Sequence, residues 1–535
     1  MVNMNIFKAN FDTLSEKITI NLDDVVEGTN LLDKLIVYRE GSIIKVYDRV
    51  CDHNKGKLMS IAGEIKCPLH GWELDPASGK YKNVDCEKKP IEIIDLNELD
   101  AFVVDINIKK EIRRTKNSDN IYKYDLRFIN HACIIIDIKN VVKIATDPWV
   151  EGPCFQNGWW LQRPSKIDAY DEINSCDYIY ISHNHPDHLH EISLENIRND
   201  MKFIIPNFES RSTEKTLKKF GFNNLIKMDF DDVIMFDEDI NFSMLKSGDF
   251  RDDSGFLFEI GEAKILSTVD SNFIDFGRIN ANVDILLSAF AGGASGFPLC
   301  FNNYTESEKV KIVQRNKRAI FSLGVTQAKN LNCKYFIPYA GFFKESEVRD
   351  KYIKDLNSKN SVADYEKLLI KFNIQTLDLF KHDFYEFNGV RLHRSKNIDK
   401  AVMSEKPLYY YLEKTSENSK NLDERDIVNY FLNSKYHEDL LLNIELTNDQ
   451  FEPTGENYQV KFSRCNVPEC YTERKIINIE NYRTLNIQAR QHEFKDVIKN
   501  KRSWEDLSIG FQLRITRSPN IYNSKFWDYF TNEYI

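Results

Sequence analysis

No stretch of this 535-residue chain approaches the roughly 18–20 consecutive apolar residues that a membrane-spanning helix needs. The opening Met1 to Lys17 lacks the charged-then-apolar pattern of a secretory signal. These absences set the expectation of a cytoplasmic protein without a membrane partner. Positive charge is not in excess either. The 72 Lys and Arg stand against 82 Asp and Glu, a net charge of −10, which argues against nonspecific binding to nucleic acid. The ten cysteines are spread thinly, with no dense disulfide framework. No internal repeat or low-complexity tract is present. Histidine is missing altogether from residues 191–381, a gap that bears on any metal site.

What is there suffices for large cores. An apolar fraction of 42% and an aromatic fraction of 12% at this length suggest two or three globular domains. The strongest signal is Ile181-Ser182-His183-Asn184-His185-Pro186-Asp187-His188-Leu189-His190. It follows an apolar run, Tyr178 to Ile181, that reads as a buried strand, and it precedes a helical pattern from Leu189 to about Ile197. Three histidines and an aspartate at a strand-to-helix turn aim imidazole and carboxylate donors at one small volume. That donor set suits zinc or iron; the plain alternative is a polar turn with surface histidines.

The pattern resembles the metallo-β-lactamase superfamily, where this turn supplies most ligands of a one- or two-metal centre. The resemblance implies His183, His185, Asp187 and His188 as ligands, plus a later histidine that the histidine-free interval cannot provide. The nearest substitutes are Asp249, beside Phe250, and Asp270, which closes the strand Lys264-Ile265-Leu266 where the superfamily places its bridging aspartate. Fewer imidazoles and more carboxylate favour an iron centre, mononuclear or dinuclear, over a two-zinc hydrolase. Asp187 and Asp270 are the expected catalytic carboxylates.

Short strands separated by turn residues (Leu35 to Tyr38, Ile43 to Tyr47, Phe102 to Val104) make residues 1–115 read as a small all-β domain. Inside lie Cys51-Asp52-His53 and Cys67-Pro68-Leu69-His70. Two thiolates and two imidazoles are the ligand set of a Rieske [2Fe–2S] cluster, although a Cys2His2 zinc site uses the same residue types. The following run, Gly71-Trp72-Glu73-Leu74-Asp75 and Gly79-Lys80-Tyr81, resembles Rieske oxygenases and ferredoxins. That likeness assigns Cys51, His53, Cys67 and His70 to the cluster. Neither loop carries the extra cysteine of high-potential respiratory Rieske proteins, which implies a lower-potential cluster that donates electrons to chemistry elsewhere.

The charged run Lys109 to Asn120 reads as a linker or exposed hairpin. Residues 121–395 are then the metal-binding domain, with the αββα layering that the superfamily resemblance implies. His131 could border the metal or be structural, and Asp147 reads as an outer partner or a turn former. In the glycine-rich Ala291 to Pro298, the backbone of Gly292, Gly293 and Gly296 could meet a phosphate or carboxylate, with a tight bend as the alternative. Arg163, Lys317 and Arg318 are further candidate anion contacts. Residues 396–535 read as mixed and mainly helical, and their composition carries no legible chemistry.

A Rieske module joined to a metallo-β-lactamase-like module resembles the cytidine monophosphate-N-acetylneuraminate hydroxylase family. The match extends to Asp147-Pro148-Trp149, Gly158-Trp159-Trp160, Thr268-Val269-Asp270, Phe290 to Pro298, Pro338 to Phe342, Asp350 to Lys354 and Trp504 to Gln512. It implies hydroxylation of the N-acetyl methyl group of CMP-sialic acid to the N-glycolyl form. O2 is the implied oxidant, with two electrons passing through the Rieske cluster from NAD(P)H by way of a cytochrome b5-like protein or ferredoxin and its reductase. The family carries a histidine where Phe250 stands here, so a related nucleotide sugar is a second possible substrate. The other functional class is a metal-dependent hydrolase, lactonase or phosphodiesterase, with an accessory Rieske module. A redox cluster without a use argues against that class.

Overall fold

Apolar runs such as Ile134-Ile135-Ile136 and Phe256-Leu257-Phe258 become strands buried on both faces. They belong to two eight-stranded sheets packed against each other. The first sheet runs in spatial order Leu225–Met228, Lys202–Pro206, Tyr178–Tyr180, Val142–Thr146, Cys133–Ile138, Lys123–Asn130, Phe384–Asn388 and Arg391–Lys396. The second runs Asn5–Lys8, Asp232–Asp237, Ile240–Lys246, Ser254–Ile260, Ala263–Val269, Ile285–Ala289, Tyr335–Tyr339 and Gln375–Thr376. Ile134, Ile136, Phe242, Phe256 and Leu286 meet between them in one core. Helices Ala169–Asn174 and Ser212–Lys219 cover the outer face of the first sheet. Glu306–Asn330, started by a Thr305–Glu308 capping box, and Val362–Leu369 cover the second. The layering is αββα.

This computed structural model describes the chain apart from residues 1–3, 9, 33–34, 50, 53–57, 62–63, 67–71, 96–100, 113–119, 248–250, 272–281, 347 and 473–481. For 10–16, 105–112 and 293–296 it describes the backbone alone.

The N-terminal domain is all β. One four-stranded sheet orders Glu92–Asp95, Ile43–Asp48, Leu35–Glu40 and Gly28–Leu31, and a second orders Met59–Ile61, Glu64–Lys66, Glu73–Asp75 and Lys80–Tyr81. A ribbon of Asn10–Asn21 with Ala101–Ile112 packs on the first of these. Two details bear on the sequence reading. Lys109 to Ile112, within the run read as a linker or exposed hairpin, are strand in that ribbon. The strand Asn5–Lys8 pairs with Asp232–Met235 of the metal-motif domain, so a boundary at residue 115 does not hold for the first strand. An open sheet edge offers unpaired backbone groups to any nearby segment, and no sequence pattern marks which one takes them.

The C-terminal region has several helices, as expected, but they pack on a five-stranded sheet that the sequence reading did not specify. Its order is Glu469–Tyr471, Pro453–Phe462, Leu440–Thr447, Arg483–Arg490 and Leu513–Ser518. This layer is built into the metal-motif domain. A Cβ on Gly158 would lie 2.2 Å from the Gly510 carbonyl oxygen, so only glycine permits that approach. Trp159 Nε1 donates to the Ile509 carbonyl at 3.0 Å, and Trp149, Trp159, Phe343, Ile509 and Phe511 share one core cluster. No helix among the described residues is long and apolar enough to cross a membrane.

Candidate metal centre

The parallel strands Val142–Thr146 and Tyr178–Tyr180 end at one edge of the first sheet, and Ala263–Val269 brings Asp270 in from the second. At these strand ends His131, Asp147 and Val269 have φ of 42°, 35° and 47°. Left-handed backbone costs a non-glycine residue on the order of 1–3 kcal/mol, and is most unusual for a β-branched residue such as Val269. Each of these turns brings a side chain (His131, Asp147 or the following Asp270) into one cluster. His188 N–H and Leu189 N–H both donate to the His185 carbonyl, at 2.9 and 2.7 Å, which curls the histidine loop tightly.

His188 anchors one side. Its Nδ1 lies 2.9 Å from Asp147 Oδ2, and Asp147 also accepts from Ser182 N and Oγ, each at 2.8 Å. His188 Nε2 then lies 3.4 Å from Asp187 Oδ2 and 3.7 Å from Asp270 Oδ2, and His131 Nε2 is 3.2 Å from Asp187 Oδ2. On the other side, His183 Nε2 is 2.8 Å from His185 Nδ1 and 3.9 Å from Asp253 Oδ1. His185 Nε2 meets Glu505 Oε2 at 2.6 Å. Arg251 flanks this side, 3.2 Å from Asp253 Oδ2 and donating to the Asp270 carbonyl at 3.4 Å.

Three overlapping groups could each hold a cation: His131–Asp187–His188, His183–His188–Asp270 and His183–His185–Asp253. The donor set fits a metal. His188 Nε2 and Asp187 Oδ1 are buried without a hydrogen-bond partner among the described residues, a costly state that a bound cation relieves. Burial pulls the Asp187 carboxyl up, but the His188 and His131 rings hold it well below the usual carboxylate range. Burial likewise pulls His188 down, and Asp187 and Asp147 override it, holding the ring well above its ordinary value. His183 is pushed well down by burial and by His188 and His185. A cluster that attracts protons at one nitrogen and refuses them at the next offers both anionic oxygens and neutral imidazole to a cation. The side chain of Asp270 is 32% exposed, so the centre opens to solvent beside it.

His183, His185, Asp187, His188 and Asp270 therefore converge. His131 joins them, adding an imidazole from upstream of the histidine-free interval, and Asp253 supplies a carboxylate that sequence reasoning missed. Asp147 is an outer partner. His190 is separate: its Nδ1 is 2.8 Å from Ser193 Oγ and its Nε2 is 3.1 Å from the Pro153 carbonyl. Burial lowers this ring to about 4, leaving it neutral. Glu505 was also missed. The only cue was the family-like segment Trp504 to Gln512, which named no chemistry.

Other sequence-derived candidates lie elsewhere. Arg163 stacks 3.5 Å over the Phe380 ring and donates to its carbonyl at 3.1 Å. Lys317 donates to Ser358 Oγ at 3.2 Å, and Arg318 is exposed on the same helix. Gly292, with φ of 82°, opens the 3-10 turn Gly293–Cys300, a bend packed against helix Glu505–Ile509; Gly293 and Gly296 lie in that turn. In the N-terminal domain Cys51 is fully buried. Tyr81 donates its hydroxyl toward Cys51 Sγ at 3.7 Å and to Asp52 Oδ2 at 2.8 Å. His53, Cys67 and His70, like Asp249 and Phe250, lie outside the described residues.

Comparison with known proteins fits this picture. A Rieske [2Fe-2S] domain matches residues 15–102 and a beta-lactamase superfamily domain matches 125–266. An iron–sulfur module coupled to a β-lactamase-type metal domain is thus the class that fold and site define. Along almost its whole length the chain is similar to proteins named cytidine monophosphate-N-acetylneuraminic acid hydroxylase. It is 27% identical over 540 residues to that of Danio rerio, covering 93% of this chain and 89% of the relative. It is 28% identical over 570 residues to that of Xenopus laevis, covering 98% and 93%. With that of Cricetulus griseus it shares 28% over 559 residues, covering 97% of each.

Proposed function

We propose that this chain is a Rieske-coupled, iron-dependent monooxygenase that converts the N-acetyl group of CMP-N-acetylneuraminate, or of a closely related nucleotide sugar, to the N-glycolyl form. One observation carries the reading: similarity to hydroxylases of that name spans the Rieske domain, the histidine–aspartate centre and the C-terminal layer that touches it. The reaction balances as R–CH3 + O2 + 2 e⁻ + 2 H⁺ → R–CH2OH + H2O. Iron supplies redox chemistry and open positions toward O2 when bound. The chain's own residues set the geometry. Asp147 fixes the His188 ring through Nδ1, leaving Nε2 for a metal, and Glu505 acts on His185 in the same way. His131, His183, Asp187, Asp253 and Asp270 complete the donor set, mononuclear or dinuclear.

Cys51, His53, Cys67 and His70 hold the [2Fe–2S] cluster in this reading. NAD(P)H is the electron source through a cytochrome b5-like protein or ferredoxin with its reductase, and the setting is cytoplasmic. The CMP moiety contributes binding energy remote from the methyl carbon, so the nucleotide sugar should bind and the free sugar should not. The test is incubation of reduced, aerated protein with CMP-N-acetylneuraminate. The expected outcome is a nucleotide sugar heavier by one oxygen, seen by mass spectrometry. Release of CMP or an opened ester without oxidation would instead identify a hydrolase.

A further inference from the structure

Among the described residues, the Rieske-type domain touches the C-terminal layer through Val84 and Asp85. Val84 and Tyr522 form a parallel β bridge. Asp85 N–H donates to the Tyr522 carbonyl at 3.2 Å, Ser524 Oγ donates to the Asp85 carbonyl at 3.1 Å, and the Asp85 carboxylate pairs with Arg483. Through Tyr81 this segment connects to Cys51 and Asp52. Tyr81 N–H donates to the Cys86 carbonyl at 3.0 Å, while the Tyr81 hydroxyl reaches Cys51 and Asp52.

The same layer touches the metal centre, through Glu505 on His185. A second anchor, Asn5–Lys8 on Asp232–Met235, ties the chain's first strand to the metal-motif domain.

Resting on the hydroxylase reading, we propose that the Rieske domain serves the metal centre of its own chain: Val84–Cys86 seats it on Tyr522, Ser524 and Arg483 of the layer whose Glu505 holds His185. Each electron leaves the reduced cluster, oxidising it by one, and reduces the metal that His185 helps to hold. A one-electron donor of the cytochrome or ferredoxin class reduces the cluster again. Glu505 is a positioning residue and binds no metal itself.

Amide exchange at Asp85 in cluster-loaded protein reads the seat without substrate or turnover, so its failure is separable from failure of the hydroxylase reading. Arg483→Glu should speed that exchange about fivefold, and the swap of Asp85→Arg with Arg483→Asp should restore it. The Rieske absorbance should be unchanged throughout. Fast exchange at Asp85 in the unaltered protein, or exchange indifferent to Arg483, would overturn the seat. For the connection, Glu505→Gln should slow O2-driven reoxidation of the reduced cluster at least tenfold while leaving its midpoint potential unchanged. Unaltered reoxidation would remove its role. Finally, an equimolar mixture of Cys67→Ser and Asp187→Ala chains should form no product. Restored turnover would mean that electrons cross between chains.

Discussion

The two sides of the candidate metal centre are built alike and supported differently. On the inner side His188 leans on Asp147, and both side chains are 0% exposed. His131 and Asp187 beside them come from the same domain. On the outer side His185 leans on Glu505, 320 residues downstream, with side chains 12% and 20% exposed. In both pairs a carboxylate fixes an imidazole through the nitrogen facing away from the cluster. The inner pair is dry, where Coulombic attraction is strong. The outer one is wetter and depends on a separate layer of the fold. In the proposed reading this difference becomes a division of labour: the αββα domain would hold the metal, and the C-terminal layer would tune one ligand through Glu505.

Breaking the inner side should have the largest effect. Asp187→Ala or His188→Ala should remove detectable product and lower bound metal, measured by elemental analysis, with the Rieske absorbance intact because the domains are separate. Asp270→Ala should abolish product in the same way, and full turnover in it would remove that residue from the centre. Next comes Asp147→Asn, which keeps the shape but loses the charge behind His188. Metal affinity should fall about 10–100-fold, read by competition with a chelator. The matching change on the outer side, Glu505→Gln, should cost metal affinity less, roughly tenfold at most, because solvent already screens that pair. Equal losses for the two would erase the distinction between the sides.

A separate effect falls on stability. Burial raises the Asp506 carboxyl from 3.8 to about 7. Folding thus favours its protonated form, whose contribution is full below about 3.8 and is lost as pH rises through about 7. Asp506→Asn mimics the protonated form. Its stability advantage over the parent, read as a melting shift, should grow between pH 5 and pH 8 to no more than about 4 kcal/mol. An advantage that does not change with pH would contradict the burial argument.

The histidine loop, which feeds both sides, was the most legible stretch in sequence, for a physical reason. His183, His185, Asp187 and His188 fall within six residues at the end of an apolar strand, so local chain geometry alone brings their donors together. Asp270 was legible as the end of another strand. Asp253 was not, because a strand-edge register decides which of several acidic residues turns inward, and the pattern in mind required a histidine. Glu505 could not be read at all: it meets His185 only after the close Gly158–Gly510 approach folds the C-terminal layer down. The same limit hid the five-stranded sheet and the placement of Asn5–Lys8, since pairing partners far apart in sequence leave no local period. Arg163, Lys317 and Arg318 show the converse limit. A positive charge is easy to see in sequence, but what it faces is decided by packing, here Phe380, Ser358 and solvent.

The central claim is that one chain joins an electron-donating cluster to an oxygen-using metal centre. The most direct test is a single turnover of chemically reduced, donor-free protein with CMP-N-acetylneuraminate under 18O2 in ordinary water. The account predicts one 18O atom in the N-glycolyl group and oxidation of the Rieske cluster in step with product. A product whose new oxygen comes from water, or product formed while the cluster stays reduced, would contradict it.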